Sequence, residues 1–139
     1  MSSLHLKIIT PQKVALEEDV LSVTAPSASG EVTILPKHMN LFSLLQEGIV
    51  TIRKQSQEDH LAIGGGYLET DGEELNILVS RAYGQGEIDT KETERAIEEA
   101  NKILSQSKDE SQKQEAISML RRSAIDIKLL KRRKAKSSV

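Results

Sequence analysis

The chain contains no cysteine. That excludes disulfides and thiolate metal sites and fits a reducing compartment. Aromatic residues are almost missing: Phe42, Tyr67 and Tyr83 are the whole set. The interior must therefore be aliphatic, and a stacking platform for single-stranded nucleic acid, which uses several aromatic faces, is not expected. No run of about 18 apolar residues occurs, so no membrane-spanning helix is expected. The opening MSSLHLKIIT lacks the charged-then-apolar layout of a signal peptide. The three histidines, His5, His38 and His60, have no ligand-like spacing, and no metal site is expected. His5 and His60 fall on outward strand faces, and His38 reads as a contact residue or a local hydrogen-bonder. No serine or threonine stands in a nucleophile-elbow context. The carboxylates fall in turns and on helix faces, so no catalysis by this chain alone is expected.

What the chain has in quantity is charge, unevenly placed. Residues 1–86 carry 11 acids and 6 bases, net −5, and residues 87–118 carry 9 acids and 5 bases, net −4. Residues 119–139 carry one acid, Asp126, and 8 bases, net +7. An acidic body with a basic tail suggests that the tail meets something negative.

The first 86 residues have the period of strands. Leu4, Leu6 and Ile8 alternate with polar neighbours, as do Leu61 with Ile63 and Leu75 with Ile77 and Val79. Thr10, Pro11 and Gln12 form a turn, Glu17, Glu18 and Asp19 an acidic bend, and residues 54–59 a polar hairpin turn. Asp71-Gly72 is a strong hairpin signal. Val32 and Ile34 belong to a short strand that stops at Leu35-Pro36, before a polar loop. Eight to ten short strands at this spacing predict a sandwich or barrel. The period changes at Gly84-Gln85-Gly86. Asp89 is suited to cap a helix, with Glu92 completing a capping box, and Ala96, Ile97, Ala100, Ile103 and Leu104 follow at helical spacing. Residues 105–112 read as a polar turn. A second stripe, Ile117, Leu120, Ala124, Ile127 and Leu130, completes an antiparallel helical hairpin. Both stripes are narrow and alanine-rich, so the hairpin is expected to be weakly held and able to open. The division falls between residues 1–86 and 87–139.

Two features invite chemistry. Gly64, Gly65 and Gly66 resemble a phosphate loop, but strand rather than helix follows, which predicts a bulge or a close backbone approach. The cations Lys128, Lys131, Arg132, Arg133, Lys134 and Lys136 suit nucleic acid, anionic lipid or an acidic protein surface, or simply a solvated helix end.

Three segments carry a family resemblance. SGEVTILPKHMNL, residues 29–41, resembles the GE-x-x-I-x-P-x-H-x-P-L segment of the epsilon subunits of bacterial and chloroplast ATP synthases, with Asn40 where proline is usual. AIGGGYLETDGEELNILVSRA, residues 62–82, is similar to the glycine-pair strand, hairpin and following strand of that family. The helix opening at Ile88-Asp89 and the helix around Leu120-Arg121-Arg122 resemble its C-terminal hairpin.

The resemblance implies a flattened β-sandwich followed by a two-helix hairpin, and a non-catalytic rotor subunit of a proton-translocating ATP synthase. Its implied partners are the gamma subunit, the ring of c subunits and the alpha/beta catalytic head. Its implied place is peripheral, on the cytoplasmic face of a bacterial plasma membrane, reaching the membrane only through the ring. Glu31, Lys37, His38 and Asn40 take the ring- and gamma-facing positions. Arg121, Arg122, Lys128, Arg132 and Arg133 are the cations that would face an acidic segment of the beta subunit when the hairpin extends and blocks ATP hydrolysis. Some family members hold ATP between the helices with an I/L-D-x-x-R-A pattern. Here residues 88–93 read IDTKET, so Glu92 replaces the arginine, Arg95 lies three residues late, and Asp126 stands for the next cation after Arg122. That leaves Asp89, Arg95 and Arg122 as a degenerate nucleotide site, with weak or absent ATP binding expected. The alternative is a free-standing sandwich with a basic helical arm for nucleic acid; an acidic body, scarce aromatics and no base-reading helix oppose it.

Overall fold

A computed structural model describes residues 2–37 and 40–132. Ten strands come first: β1 (Leu4–Ile9), β2 (Val14–Val20), β3 (Ser22–Ser27), β4 (Gly30–Ile34), β5 (Leu41–Leu45), β6 (Gly48–Arg53), β7 (Glu58–Ile63), β8 (Gly66–Thr70), β9 (Glu74–Val79) and β10 (Ala82–Tyr83). A short 3₁₀ turn, Gln85–Glu87, leads into α1 (Thr90–Gln106) and α2 (Glu110–Leu130).

The strands run in the order β10-β7-β6-β3-β5-β8-β9-β1-β2, with β4 on the other side of β3. β3 is where the sheet turns. Its first residues, Ser22 to Thr24, pair with β6, and its last, Ser27, pairs with Leu45 of β5. One strand thus serves both layers of the sandwich, and among the described residues only β1 with β9 pairs in parallel. Alternation set the inward faces: Leu4, Leu6 and Ile8 are fully buried and meet Val23, Ile52, Leu68, Leu75 and Ile77 in one aliphatic core. None of the three aromatics belongs to that core.

Three expectations of loop turn out, wholly or in part, to be regular structure. Glu58 and Asp59, expected in the turn of residues 54–59, open β7. Glu17, Glu18 and Asp19 lie inside β2. Their charge is matched across the ladder, because His5 on β1 bonds both Asp19 and Glu17 at 2.8 Å and Lys7 approaches Glu17 at 3.9 Å. Residues 105–112 are mostly helical, leaving only Ser107 to Asp109 between α1 and α2. The polar residues there are caps: the Asp109 carboxylate accepts from Ser111 N–H at 2.8 Å, and the Asp109 N–H donates to Ser107 Oγ.

The hairpin packs differently from its apparent stripe. Thr93 and Ala100 of α1 and Ala116, Ser123 and Leu129 of α2 are the buried residues. Ala124 is exposed and Ile117 is 38% exposed, so the contact face of α2 lies about one residue away from the line of large apolar side chains. Apart from Leu129 near the end of α2, small side chains fill it, which lets the two helices approach closely. Asp89 caps α1 as expected, accepting from Lys91 and Glu92 N–H at 3.0 and 3.1 Å. Among the described residues no bond returns from the Glu92 side chain, so the capping box does not close; the Thr93 hydroxyl donates instead to Asp89 O.

Among the glycines, Gly66 shows the close approach expected of the triplet. A Cβ there would overlap the Leu78 carbonyl and Val79 Cα of the neighbouring strand.

Candidate functional site

The hairpin lies against the outer face of the β6–β7 layer, and the residues that hold it there are few. On β7, Leu61 faces the core, whereas His60 and Ala62 point outward; Ala62 is nevertheless fully buried and lies outside the sandwich core. Tyr83 of β10 pairs with Ala62 and shares that outward face. Its hydroxyl donates to the Asp126 carboxylate of α2, and the Arg122 guanidinium stands 5.7 Å from its ring centroid. Burial, reinforced by Asp126, raises the Tyr83 pKa above its ordinary 10.0, so the hydroxyl keeps its proton. Two further contacts complete the attachment. The Gln85 side-chain amide donates to the Leu129 and Arg132 carbonyls at 2.6 and 2.5 Å, at the end of α2. Glu47, between β5 and β6, accepts from Arg81 at 2.9 Å and draws Arg121 to 3.9 Å.

The proposed inhibitory cations are thus split. Arg121 and Arg122 are turned onto the sandwich, Arg121 remaining 62% exposed. Lys128 and Arg132 are exposed at the end of α2. Arg133 lies outside the described residues. Sequence reasoning missed Tyr83, Gln85 and Glu47. The signal for Tyr83 was there: it is one of three aromatics and precedes the point where the period changes, where a core residue is not called for.

The residues of the degenerate nucleotide site are only partly brought together. A cleft of about 570 Å³ between the hairpin and β10 is lined by Tyr83, Asp89, Arg122 and Asp126, with Glu87 and Glu92 beside them. Arg95 is exposed on α1 and does not line it. Four carboxylates thus face one guanidinium, and that guanidinium already lies over the Tyr83 ring.

The ring- and gamma-facing residues form no single cluster. Glu31 is exposed at the start of β4, beside the tight turn at Gly30 (φ 118°). Lys37 and Asn40 lie beyond its other end; the strand alone carries the chain about 10 Å from Glu31 to Ile34, at 3.2–3.4 Å per residue. Lys37 has φ 64° and its N–H donates to Gly72 O at 2.7 Å, which fixes the loop against the β8–β9 hairpin. His38 lies outside the described residues. The adjoining β5–β8 face carries an apolar patch that the sequence reading did not single out. Phe42 and Leu44 are 60% and 61% exposed, and the Phe42 ring stacks tilted against Tyr67 with centroids 5.2 Å apart. Two of the scarce aromatics are therefore spent on a surface, where they suit a partner rather than the core.

Among the described residues there is no cluster of histidines and carboxylates able to hold a metal ion, and no helix long and apolar enough to cross a membrane.

Residues 3–85 match the family described as the ATP synthase delta/epsilon chain, beta-sandwich domain. The ATP synthase epsilon chain of Moorella thermoacetica is 39% identical over 105 residues, covering 75% of this chain and 78% of that one. The epsilon chain of Halalkalibacterium halodurans is 35% identical over 111 residues, covering 80% and 84%. Among solved structures, a chain of the Euglena gracilis mitochondrial ATP synthase superposes with a TM-score of 0.69 at 24% identity, over 94% of this chain and 78% of that one. A chain of the Tetrahymena thermophila mitochondrial enzyme's central stalk and c-ring gives 0.62 at 16% identity, over 91% and 96%. The likeness to those two structures concerns the fold. The family match and the bacterial relatives go further: the chain belongs to the ATP synthase epsilon-chain family, whose members are non-catalytic subunits of the enzyme complex.

Proposed function

We propose that this chain is a central-stalk rotor subunit that carries a releasable inhibitor of ATP hydrolysis. In this reading the sandwich docks on the gamma subunit through the Phe42–Leu44–Tyr67 face, and Glu31, Lys37 and Asn40 meet the polar loops of the c-ring. The subunit is peripheral, on the cytoplasmic side of a bacterial plasma membrane, and reaches the membrane only through the ring. The observation that carries the inhibitory part is the nature of the hairpin's attachment. It rests on contacts of alanine, serine and threonine, with Leu129 the one large side chain fully buried, on hydrogen bonds from Tyr83 and Gln85, each individually worth about 1 kcal/mol, and on a weaker exposed ion pair from Glu47. Release frees Arg121 and Arg122 from the sandwich and offers them, with Lys128 and Arg132, to an acidic surface of the catalytic head.

The test is the assembled complex with and without residues 87–139. Deletion is expected to raise ATP hydrolysis while assembly persists. Unchanged hydrolysis removes the inhibitory role and leaves the rotor role standing. Charge reversal at Glu31, or Phe42→Asp, is expected to weaken co-purification with gamma or the ring. The nucleic-acid arm is not favoured: the family match and the epsilon-chain relatives support the rotor reading instead.

ATP is expected to bind the hairpin weakly or not at all. The residues of the cleft do not fit a polyphosphate, since Glu87, Asp89, Glu92 and Asp126 repel it and Arg122 alone attracts it. Hydrogen exchange of α1 and α2 at millimolar ATP checks this; slower exchange would overturn it.

A further inference from the structure

The hairpin covers a histidine. His60 pairs with Thr51 across the β6–β7 ladder and points away from the core, the direction in which a sheet residue normally meets water. Its side chain is nevertheless only 7% exposed. α2 packs against β6 and β7 on this side, Ala62 two residues on is fully covered, and the chain leaving α2 brings Arg132 within electrostatic reach of the ring.

The imidazole's surroundings favour its neutral form. Nδ1 lies 3.1 Å from Thr51 Oγ1, a bond that a neutral ring makes as readily as a charged one. Four charged groups face it. Arg53 of β6 and Arg132 beyond α2 oppose a further positive charge, and Glu58 and Asp59 of β7 favour one. Both carboxylates already have other cations: Glu58 lies 3.3 Å from Arg53, and Asp59 lies 2.6 Å from Lys54. Glu58 is 3.4 Å from His60 Nε2 and half-exposed, which weakens what it can offer.

We propose that His60 is a proton-operated latch: the hairpin rests on the neutral imidazole and is released as the ring gains a proton. The latch rests on the reading of the hairpin as releasable. Burial is the largest influence and pushes the pKa down; the net effect of all groups is a value below the ordinary 6.5. Release returns the ring to water and removes Arg132, and both changes restore its affinity for protons. The docked state therefore binds fewer protons than the released one. Docking is strongest above pH 6.5, weakens as pH falls below it, and levels off beneath the docked value. A single proton can shift the ratio by at most about tenfold per pH unit. His5 supplies an internal contrast. It sits on β1, exposed, and its bonds to Asp19 and Glu17 raise its pKa, with no hairpin contact to lose.

The absence of cysteine makes the test direct. Spin labels on the full chain at Ser56→Cys, in the β6–β7 turn, and Ala124→Cys, on the exposed side of α2, report the docked and released distances. Between about pH 7.5 and about pH 5.5, the range in which an ordinary histidine titrates, the released fraction is expected to rise several-fold. His60→Gln, which can keep the Thr51 bond without taking up a proton, is expected to abolish the rise; His5→Gln is expected to keep it. A flat wild-type profile, or an undiminished rise in His60→Gln, overturns the latch. Should His60→Gln not fold, the wild-type ring signals decide by NMR: a His60 midpoint below both 6.5 and that of His5 supports the latch, and one at or above 6.5 overturns it. The complex separates this from the inhibitory reading. A pH response in the free chain, with hydrolysis indifferent to loss of residues 87–139, overturns inhibition and leaves the latch. Inhibition without a His60-dependent response does the reverse.

Discussion

Gly66 shows how much one absent side chain can decide. It sits in β8 between Leu45 of β5 and Val79 of β9, and the β9 backbone approaches so closely that any Cβ would meet the Leu78 carbonyl. The two strands must then move apart, and the aliphatic layers on either side cannot yield without strain. Gly66→Ala is expected to destabilise the sandwich by about 1–3 kcal/mol. For a domain of this size each kcal/mol lowers Tm by roughly 4–8 °C, so thermal melting resolves the effect. Gly86→Ala is the matched control, since a Cβ there meets nothing within 4 Å; a change within about 0.5 kcal/mol is expected. Equal losses at the two positions would show that loss of glycine, rather than the β8–β9 approach, sets the cost.

At the scale of elements, the hairpin is a unit clipped to a sheet by side chains at its edge. Tyr83→Phe tests the clip, because it removes one hydroxyl and keeps the ring beneath Arg122. The half-buried Asp126 carboxylate loses its donor, at a cost of about 1 kcal/mol, or roughly a fivefold shift toward release. Amide exchange along α2 is expected to speed up by that factor while the β6 and β7 amides exchange as before; unchanged α2 exchange would show that the clip is not made by this bond. The same elements show what sequence makes legible. Strands and helices were readable because burial imposes periods of two and 3.6, and the hairpin was bounded by Gly84, Gly86 and the Asp89 cap. Three things were not readable. The acidic run of β2 looked like a bend because its partners, His5 and Lys7, act across the ladder rather than along the chain. The face of α2 was misphased because close helices bury alanine and serine and leave Ile117 outside. The outward face of β7 looked solvated, since nothing in the order EDHLAI tells that α2, which begins at Glu110, will cover His60 and Ala62. As for the candidate sites, the resemblance carried by residues 29–41 offers Glu31 and Lys37 as contact residues. Only the fold shows that β4 holds them apart.

At the scale of the whole molecule, the sandwich core and the buried residues of the hairpin do not merge among the described residues. The sandwich core draws its buried members from Leu4 through Val79 and takes none from the helices; Ala100, Ala116 and Leu129 belong to the hairpin and its seat. The sandwich also carries its own closure. Lys54, after β6, reaches Glu18 of β2 at 2.8 Å and Asp59 of β7 at 2.6 Å, tying the outer strand of one layer to the other. Partial burial works against the Lys54 charge, but the two carboxylates outweigh it, so its ammonium holds its proton above the usual 10.5. Residues 1–86 should then fold without the rest of the chain. What they lose is the cover over His60 and Ala62 and the polar bonds of Tyr83, Gln85 and Glu47. His60 and Tyr83 tolerate water, and Ala62 exposes little apolar area. A loss of about 1–2 kcal/mol is expected, lowering Tm by roughly 5–15 °C with the transition still cooperative. Dispersed amide resonances for β1 to β9 in the truncated chain would bear this out. A truncated chain that lost its dispersed spectrum and its cooperative melt would mean that the hairpin is a structural wall of the sandwich, and a wall cannot be released as an inhibitor.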